Sequence, residues 1–339
     1  MNQNCRIYLS NSHDPWFNLA MEDWLLHDMQ LVDQVLFLWR NDNTVVIGRS
    51  QNPWVECQLE KMQTNGVKLA RRQSGGGAVF HDLGNTNFTF LSQKKQYDKK
   101  RNLQMIIDAL SRWSLSVTAQ GRNDLVVTTS DGQPRKISGS AFKEKADRAF
   151  HHGTMLLNAD LTALAQYLQP NQKKLQAKGI KSVRSRVMNC SEQAPSIHHA
   201  AVCDEIVRLF QQQYHSQAEV VVIDQSQMDI YPGLQARYDQ LRSQEWLLGQ
   251  TMPFSHQIEE RFDWGGIDLR LHVKQAKIES AQVFSDCLYP DWIESVEQAL
   301  TGVPYQFDAI EQALLTTVPA PHPEFVEDLK AIMLANIAG

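Results

Sequence analysis

The stretch "RRQSGGGAVFHDLGN", Arg71–Asn85, decides how this chain is read. Two arginines precede three consecutive glycines, and a histidine–aspartate pair follows soon after. Each glycine costs about 0.5–1 kcal/mol relative to alanine when it is ordered inside regular structure. Three together therefore imply positive φ, or a ligand lying against bare main chain. Successive N–H groups in such a turn form a concave nest for anionic oxygens, and an arginine beside it can bind phosphate or carboxylate with two parallel hydrogen bonds. Arg71 and Arg72 are neighbours on a predicted strand, so their side chains point to opposite faces and only one reaches the ligand. A tight hairpin turn beside solvated arginines is the competing reading.

Working outward, "VKLARR", "GAVFHD" and "NFTFLS" read as strands, with "SGGG" and "DLGN" as the turns between them. Upstream, "DPWFNLAMEDWLLHDM" opens a helix with Asp14 as N-cap and Pro15 at its first position. Phe17, Ala20, Met21, Trp24 and Leu25 form its apolar face. "VLFLWR" and "TVVIGR" are two further strands. Downstream come a helix over 98–113, with Leu103, Ile106, Ile107, Leu110 and Trp113 as its buried stripe, and a hairpin of "DLVVTT" and "RKISGSAF" around "SDGQP". A strand at "HHGTMLLN", a helix capped by Asp160 and a helix over about 197–214 follow. The Gly/Pro breaks of "QEWLLGQTMPFSH" mark a connection. Beyond it "FDWGGIDLRLHV", "KIESAQVFS" and two helical stretches make a small α+β unit. The expected architecture is α+β (mixed α/β): a large domain over residues 1–245 and a small accessory domain over 253–339.

The bulk numbers exclude several classes. A chain of 339 residues, 42% hydrophobic and 21% charged, has the composition of an ordinary globular protein. A net charge of −5 argues against a general nucleic-acid binder. No apolar run approaches a membrane span and no signal core is visible, so a cytoplasmic protein with no membrane partner is expected. The five cysteines (Cys5, Cys57, Cys190, Cys203, Cys287) are scattered and form no CxxC pair, which suggests neither a zinc site nor a disulfide framework. The GxxxxGK[ST], HExxH and GxSxG patterns are absent, and the glycine run lacks GxGxxG spacing. Residues 171–186 concentrate cations, among them Lys173, Lys174, Lys178, Lys181, Arg184 and Arg186. A solvated loop is the usual meaning of such a run.

"RKISGSAF" holds the second site candidate. Lys136 stands two residues before Ser138-Gly139, where a lysine can project over a ligand lying on bare backbone and neutralise charge that builds on phosphate or carboxylate oxygens. A solvated surface lysine is the bland alternative.

The segments "DPWFNLAMED", "FLWRN", "TVVIGRSQNPW", "RRQSGGGAVFHDLGN", "GRNDLVV", "KISGSA", "FHHGTMLLNADL" and "KGIKSVRSRV" run in order from residue 14 to 187. With the "RRxSGGGAVFHD" and "K[IV]SGxA" pair at its centre, the chain strongly resembles the lipoyl/biotinyl protein ligase family, in its lipoate branch. That resemblance implies a mixed, largely antiparallel sheet with a small accessory domain. It implies an enzyme that activates lipoate with ATP and Mg²⁺ to lipoyl-AMP, then transfers the lipoyl group to a lysine of a carrier. The implied partners are lipoic acid, octanoate, the lipoyl domains of E2 subunits and the glycine-cleavage H protein, for a monomeric ligase.

Carried over residue by residue, the ATP and adenylate positions are Arg72, Ser74, Gly75, Gly76, Gly77, Ala78, Val79 and Phe80, with Lys136, Asn123 and Asp124. Lys136 also meets the lipoyl carboxylate and is the catalytic residue. Trp39, His81, Phe150 and His152 are the lipoate-binding candidates, and Asp124 is the metal candidate. Three readings compete: an octanoyltransferase working through a cysteine thioester, with Cys190 the first residue to test; a biotin–protein ligase; and a non-enzymatic lipoyl-binding protein.

Overall fold

The computed structural model describes residues 4–29, 34–129, 132–168, 187–248, 255–316 and 320–337. The basic segment 171–186 therefore lies outside the described residues, as does most of the connection before residue 255.

Strand β2 (Gln34–Trp39) is buried along its whole length, which is why it reads as an unbroken apolar run. Its side chains alternate between two cores. Val35, Phe37 and Trp39 join Leu91 and Phe150 on one face, while Leu36 and Leu38 join Phe88 and Phe90 on the other. Burying each such side chain contributes about 1.5–3 kcal/mol.

Around β2 the described strands build an eight-stranded sheet. On one side lie β1 (Cys5–Ser10) and, at the edge, a Val220–Ile223 strand, both parallel to it in sequence of pairing. On the other side the pairing is antiparallel throughout, through Asn85–Gln93, Arg148–Leu156, Pro134–Glu144, Asp124–Thr128 and Val117–Gln120. The sheet is thus mixed and largely antiparallel, as expected.

Helix α1 (Pro15–His27) covers one face and is capped as its sequence predicts, with the Asp14 carboxylate accepting from the Phe17 N–H at 2.9 Å. Helix α2 (Lys99–Ser111) and helix α3 (His199–Gln213) cover the other face. In α2 the buried side is Asn102, Met105, Ile106, Ala109 and Leu110, whereas Leu103, Ile107 and Trp113 only flank the core. The apolar stripe is rotated from the expected one because α2 packs on α3 as well as on the sheet.

The glycine run does not form a hairpin. Strands β3 (Thr44–Ile47), β4 (Lys68–Arg71) and β5 (Val79–His81) make a small sheet in the order β4-β3-β5, with β3 parallel to β4 and antiparallel to β5. "RQSGGGA" therefore crosses over the end of β3 to join two strands that do not touch. That loop carries the Gly76 φ of +90°, a conformation open to glycine.

Residues 255–337 form an antiparallel three-stranded sheet, His256–Phe262, Gly265–Lys274 and Lys277–Ser285, packed by helices on its own core of Trp264, Leu269, Trp292 and Phe325. The first of these strands escapes the sequence reading, in which the connection ends at His256 and the next strand begins at Phe262. Only Ile258 in its first five residues turns inward, so its pattern is polar.

Candidate functional site

The two arginines that open the glycine run are both buried, which removes the reading of a turn beside solvated cations. They point to opposite sides, as strand geometry requires. Arg71 donates to the carbonyls of Arg49, Gln51, Trp246 and Leu247, all within 2.8 Å, and so ties the loop after β3 to the helical turn at Gln244–Leu248. Arg72 turns inward. Its guanidinium donates to Val46 O at 3.1 Å, Gly75 O at 2.7 Å and Gly77 O at 2.8 Å, and its Nε to Ser74 Oγ at 3.1 Å. Burial lowers its pKa to about 10, so it stays charged at neutral pH.

These bonds answer why cations stand beside the glycines. Arg72 holds the carbonyls of the loop together on one side. On the other, a Cβ on Gly75 would lie 2.1 Å from the Cys287 carbonyl, and Gly76 N–H donates to that same carbonyl at 3.0 Å. The bare backbone at Gly75 thus accommodates the protein's own C-terminal unit, and the Gly76 N–H is not open as part of an anion nest. Two ion pairs, Arg49 with Glu294 and Lys143 with Asp291, join the same two units nearby.

Beyond Gly75 the loop borders a cavity of about 280 Å³. Gly76, Gly77, Ala78, Val79, Phe80, His81 and Arg72 line it, as do Trp39, His152, Asn123, Asp124 and Lys136. The expected residues from five separate stretches of chain thus converge on one space. Three do not border it. Ser74 is fully buried behind the loop, Gly75 faces Cys287, and Phe150 is a core residue whose ring lies 4.9 Å from that of His152.

Lys136 reaches the cavity along the strand Pro134–Glu144. Its Nζ makes a 2.6 Å ion pair with Asp124, across a strand pair whose bulge falls at Leu125/Val126. The ammonium rests over Gly139, where a Cβ would stand 2.7 Å from Nζ. Lys136 is therefore neither a solvated surface lysine nor over an open backbone; it fills the space that the missing side chain leaves. Asn123 fixes the adjoining turn by donating from Nδ2 to Ser140 O at 2.6 Å.

Behind the cavity wall runs a buried polar chain that the sequence reading missed. His152 Nδ1–H donates to the Glu22 carboxylate at 2.8 Å, and its Nε2 lies 2.8 Å from Ser74 Oγ. Thr89 Oγ1 donates to Glu22 at 2.6 Å, and Trp39 Nε1 donates to Thr89 at 3.2 Å. Glu22 therefore orients both His152 and, through Thr89, the Trp39 indole. The available signal was "MED" inside an otherwise apolar helix, since an acid on a fully buried helix needs partners.

Comparison with known proteins gives the family. The model of the lipoyl protein ligase A/B catalytic domain matches residues 14–211, and that of the bacterial lipoate protein ligase C-terminus matches 251–323. The chain belongs to the lipoyl protein ligase A/B family. It is accordingly an enzyme, a lipoate–protein ligase. A lipoate-protein ligase A of Bdellovibrio bacteriovorus is 49% identical over 322 residues, covering 95% of this chain and 94% of its own. The crystal structure of P. falciparum LipL1 in complex with lipoate superposes with a TM-score of 0.86 at 30% identity, covering 98% of this chain and 99% of that one. A bipartite lipoate protein ligase of Thermoplasma acidophilum, solved with its E2 lipoyl domain, matches 74% of this chain and 98% of its own at 26% identity and a TM-score of 0.63. Among the described residues no helix is long and apolar enough to cross a membrane.

Proposed function

We propose that this ligase activates lipoate with ATP, forming lipoyl-AMP and pyrophosphate, and then passes the lipoyl group to a carrier lysine with release of AMP. One observation carries this reading: Lys136 and the glycine-loop residues face a single cavity whose remaining wall includes Trp39, Leu19, Val46 and Val79. An apolar chamber with a cation at one side suits an acyl chain ending in a carboxylate.

In the activation step the lipoate carboxylate attacks the α-phosphorus of ATP, and the Lys136 ammonium neutralises the charge that grows there. Lys136 then polarises the mixed anhydride carbonyl as the carrier amine attacks. Arg72 acts on the phosphates through the loop carbonyls it holds. Asn123 and Asp124 stand by the phosphates, and Trp39, His81 and His152 contact the acyl chain. Ser74, Gly75 and Phe150 support these residues from behind.

Asp124 is the carboxylate that would hold Mg²⁺ on the nucleotide phosphates, where the ion offsets their charge. Among the described residues no set of three or more His, Cys, Asp or Glu side chains is placed to hold a metal by itself. That donor set fits a Mg²⁺ that arrives with the nucleotide.

The carriers in this reading are E2 lipoyl domains and the glycine-cleavage H protein, octanoate is a second acid substrate, and the enzyme works as a cytoplasmic monomer. We retain the division into a catalytic domain over 1–245 and an accessory domain over 253–339. Leu168 and Val187, which flank the basic 171–186 segment, both border the cavity, which supports a role for its cations in meeting an acidic carrier.

The primary test is lipoate-dependent pyrophosphate release from purified protein with ATP and Mg²⁺ and no carrier. No release with lipoate or octanoate, from folded protein, would overturn the reading. Gly139→Ala should lower that rate about tenfold with little change in melting temperature, because the new methyl pushes only the mobile end of Lys136 aside. An undiminished rate would show that the ammonium need not sit there.

A thioester route has little support. All five cysteines are buried and none lines the cavity. Burial pushes the Cys57, Cys190 and Cys203 thiols up to about 12 and Cys287 to about 11, far from thiolate formation at neutral pH. Cys190→Ser should leave acyl transfer to a carrier unchanged; loss of transfer with normal folding would revive that route.

A further inference from the structure

The apolar side of the cavity holds a buried donor that the activation chemistry leaves without a role. His81 ends β5 and is 3% exposed, yet its Nε2 has no hydrogen-bond partner in the protein. Its ring lines the cavity and meets Trp39 edge-on, with centroids 6.1 Å apart.

Which ring nitrogen carries the proton follows from the residues behind it. Asn41 Nδ2 lies 3.2 Å from His81 Nδ1. The Asn41 amide is fixed in that sense because its Oδ1 accepts from Asn18 Nδ2 at 3.0 Å. Asn18 is fixed in turn: its Oδ1 accepts from Ser10 Oγ at 2.6 Å, and its Nδ2 also donates to Ser12 O at 3.0 Å. With Asn41 donating, Nδ1 of His81 must accept, so the neutral ring keeps its proton on Nε2. Burial, aided by the nearby Arg72 and His152, pushes the His81 pKa down to about 3, so the ring is neutral throughout the working range. Asn87, paired across the sheet with Trp39, is a second cavity residue whose buried Nδ2 has no hydrogen-bond partner in the protein.

We infer that His81 selects acids whose far end carries a hydrogen-bond acceptor, the dithiolane sulfurs of lipoate, and that Asn41 is the positioning residue that fixes His81 as an N–H donor. This rests on the proposed lipoate activation. A buried donor left without an acceptor penalises the complex that leaves it so. The terminal methyl of octanoate has no lone pair to offer, whereas a ring sulfur does. A site built to hydrogen-bond its substrate discriminates against analogues that lack the acceptor, and with a weak acceptor such as sulfur the discrimination should be about tenfold.

The test compares kcat/KM for acid-dependent pyrophosphate release with lipoate, octanoate and cyclopentyl-pentanoic acid, which keeps the ring and replaces both sulfurs by carbon. The wild type should favour lipoate over the carbocyclic acid about tenfold. His81→Phe should abolish that preference through the KM for lipoate, and Asn41→Leu, which frees the tautomer, should reduce it. Nitrogen-15 NMR of the ligand-free protein should find the His81 proton on Nε2 in the wild type and a mixture of the two neutral tautomers in Asn41→Leu, a reading that stands even if His81→Phe fails to fold. Equal use of the two ring acids by the wild type, a preference surviving in His81→Phe, or a wild-type Nδ1–H would overturn the inference alone. Pyrophosphate release with none of the acids would overturn the ligase reading, and the inference with it.

Discussion

Lys136→Ala is expected to lower lipoate-dependent pyrophosphate release by about 10²–10³-fold, the usual cost of removing one well-placed charge donor. Transfer of preformed lipoyl-AMP to a carrier should fall as well, since in the proposed mechanism the same ammonium offsets charge at the α-phosphate in activation and polarises the anhydride carbonyl in transfer. The loss should come with little loss of stability. The Lys136–Asp124 pair is only partly buried, with side chains 29% and 18% exposed, so breaking it costs about 1 kcal/mol at most. Lys136→Arg should not rescue the rate. A planar guanidinium is wider than an ammonium, and the space over Gly139 already places Nζ within 2.7 Å of where a methyl would stand. Measuring both half-reactions and the melting temperature separates the cases. Full activation with transfer alone impaired would confine Lys136 to the second step, and normal rates in both would remove it from the chemistry.

Much of this was legible in the residues, for reasons that differ from element to element. Helix α1 announces itself because Asp14-Pro15 is a local start signal and the structure uses it locally. The hairpin bearing Lys136 is equally local, a turn between two β-rich runs. The glycine loop was read correctly as special and incorrectly as a turn between neighbouring strands. Which strands it joins depends on β3, some thirty residues earlier in the chain, and no local pattern reports that. The same blindness explains the missed partners of the site. Glu22 lies on α1, Thr89 on the strand Asn85–Gln93 and Asn41 in the turn after β2; only the acid in an apolar helix carries a local signal, and the fold alone brings all three behind the cavity. Phe150 is a lipoate-binding candidate in the sequence because an acyl chain needs apolar walls. It shares a strand face with His152, two residues on, but its ring sits deeper, packed among Phe37, Trp39 and Leu91 in the core.

Arg72 offers the second large effect, and it sets two readings of the same residue against each other. As a phosphate ligand, carried over by resemblance, Arg72 would act on ATP alone, and its replacement would raise the KM for ATP without touching stability. The geometry assigns it a different task. Its guanidinium is fully buried and bridges the carbonyls of Val46, Gly75 and Gly77, so it closes the glycine loop onto β3. Arg72→Lys keeps the charge but not the span, because a single ammonium cannot reach carbonyls on both sides of a planar fork. At least two buried carbonyls would lose their donor at about 1–3 kcal/mol each, and the ammonium itself would be poorly paired. The expected loss is about 3–5 kcal/mol, a large share of the 5–15 kcal/mol that holds a typical protein folded. At about 2–4 °C per kcal/mol for a domain of this size, the melting temperature should drop by roughly 10 °C. Activation should fail together with it, since Gly76 to Phe80 form the cavity wall that Arg72 holds in shape. Thermal unfolding and the KM for ATP, measured on the same sample, decide the matter. An unchanged melting temperature with a raised KM would return Arg72 to direct phosphate binding and leave the shape of the loop to its glycines and to Cys287.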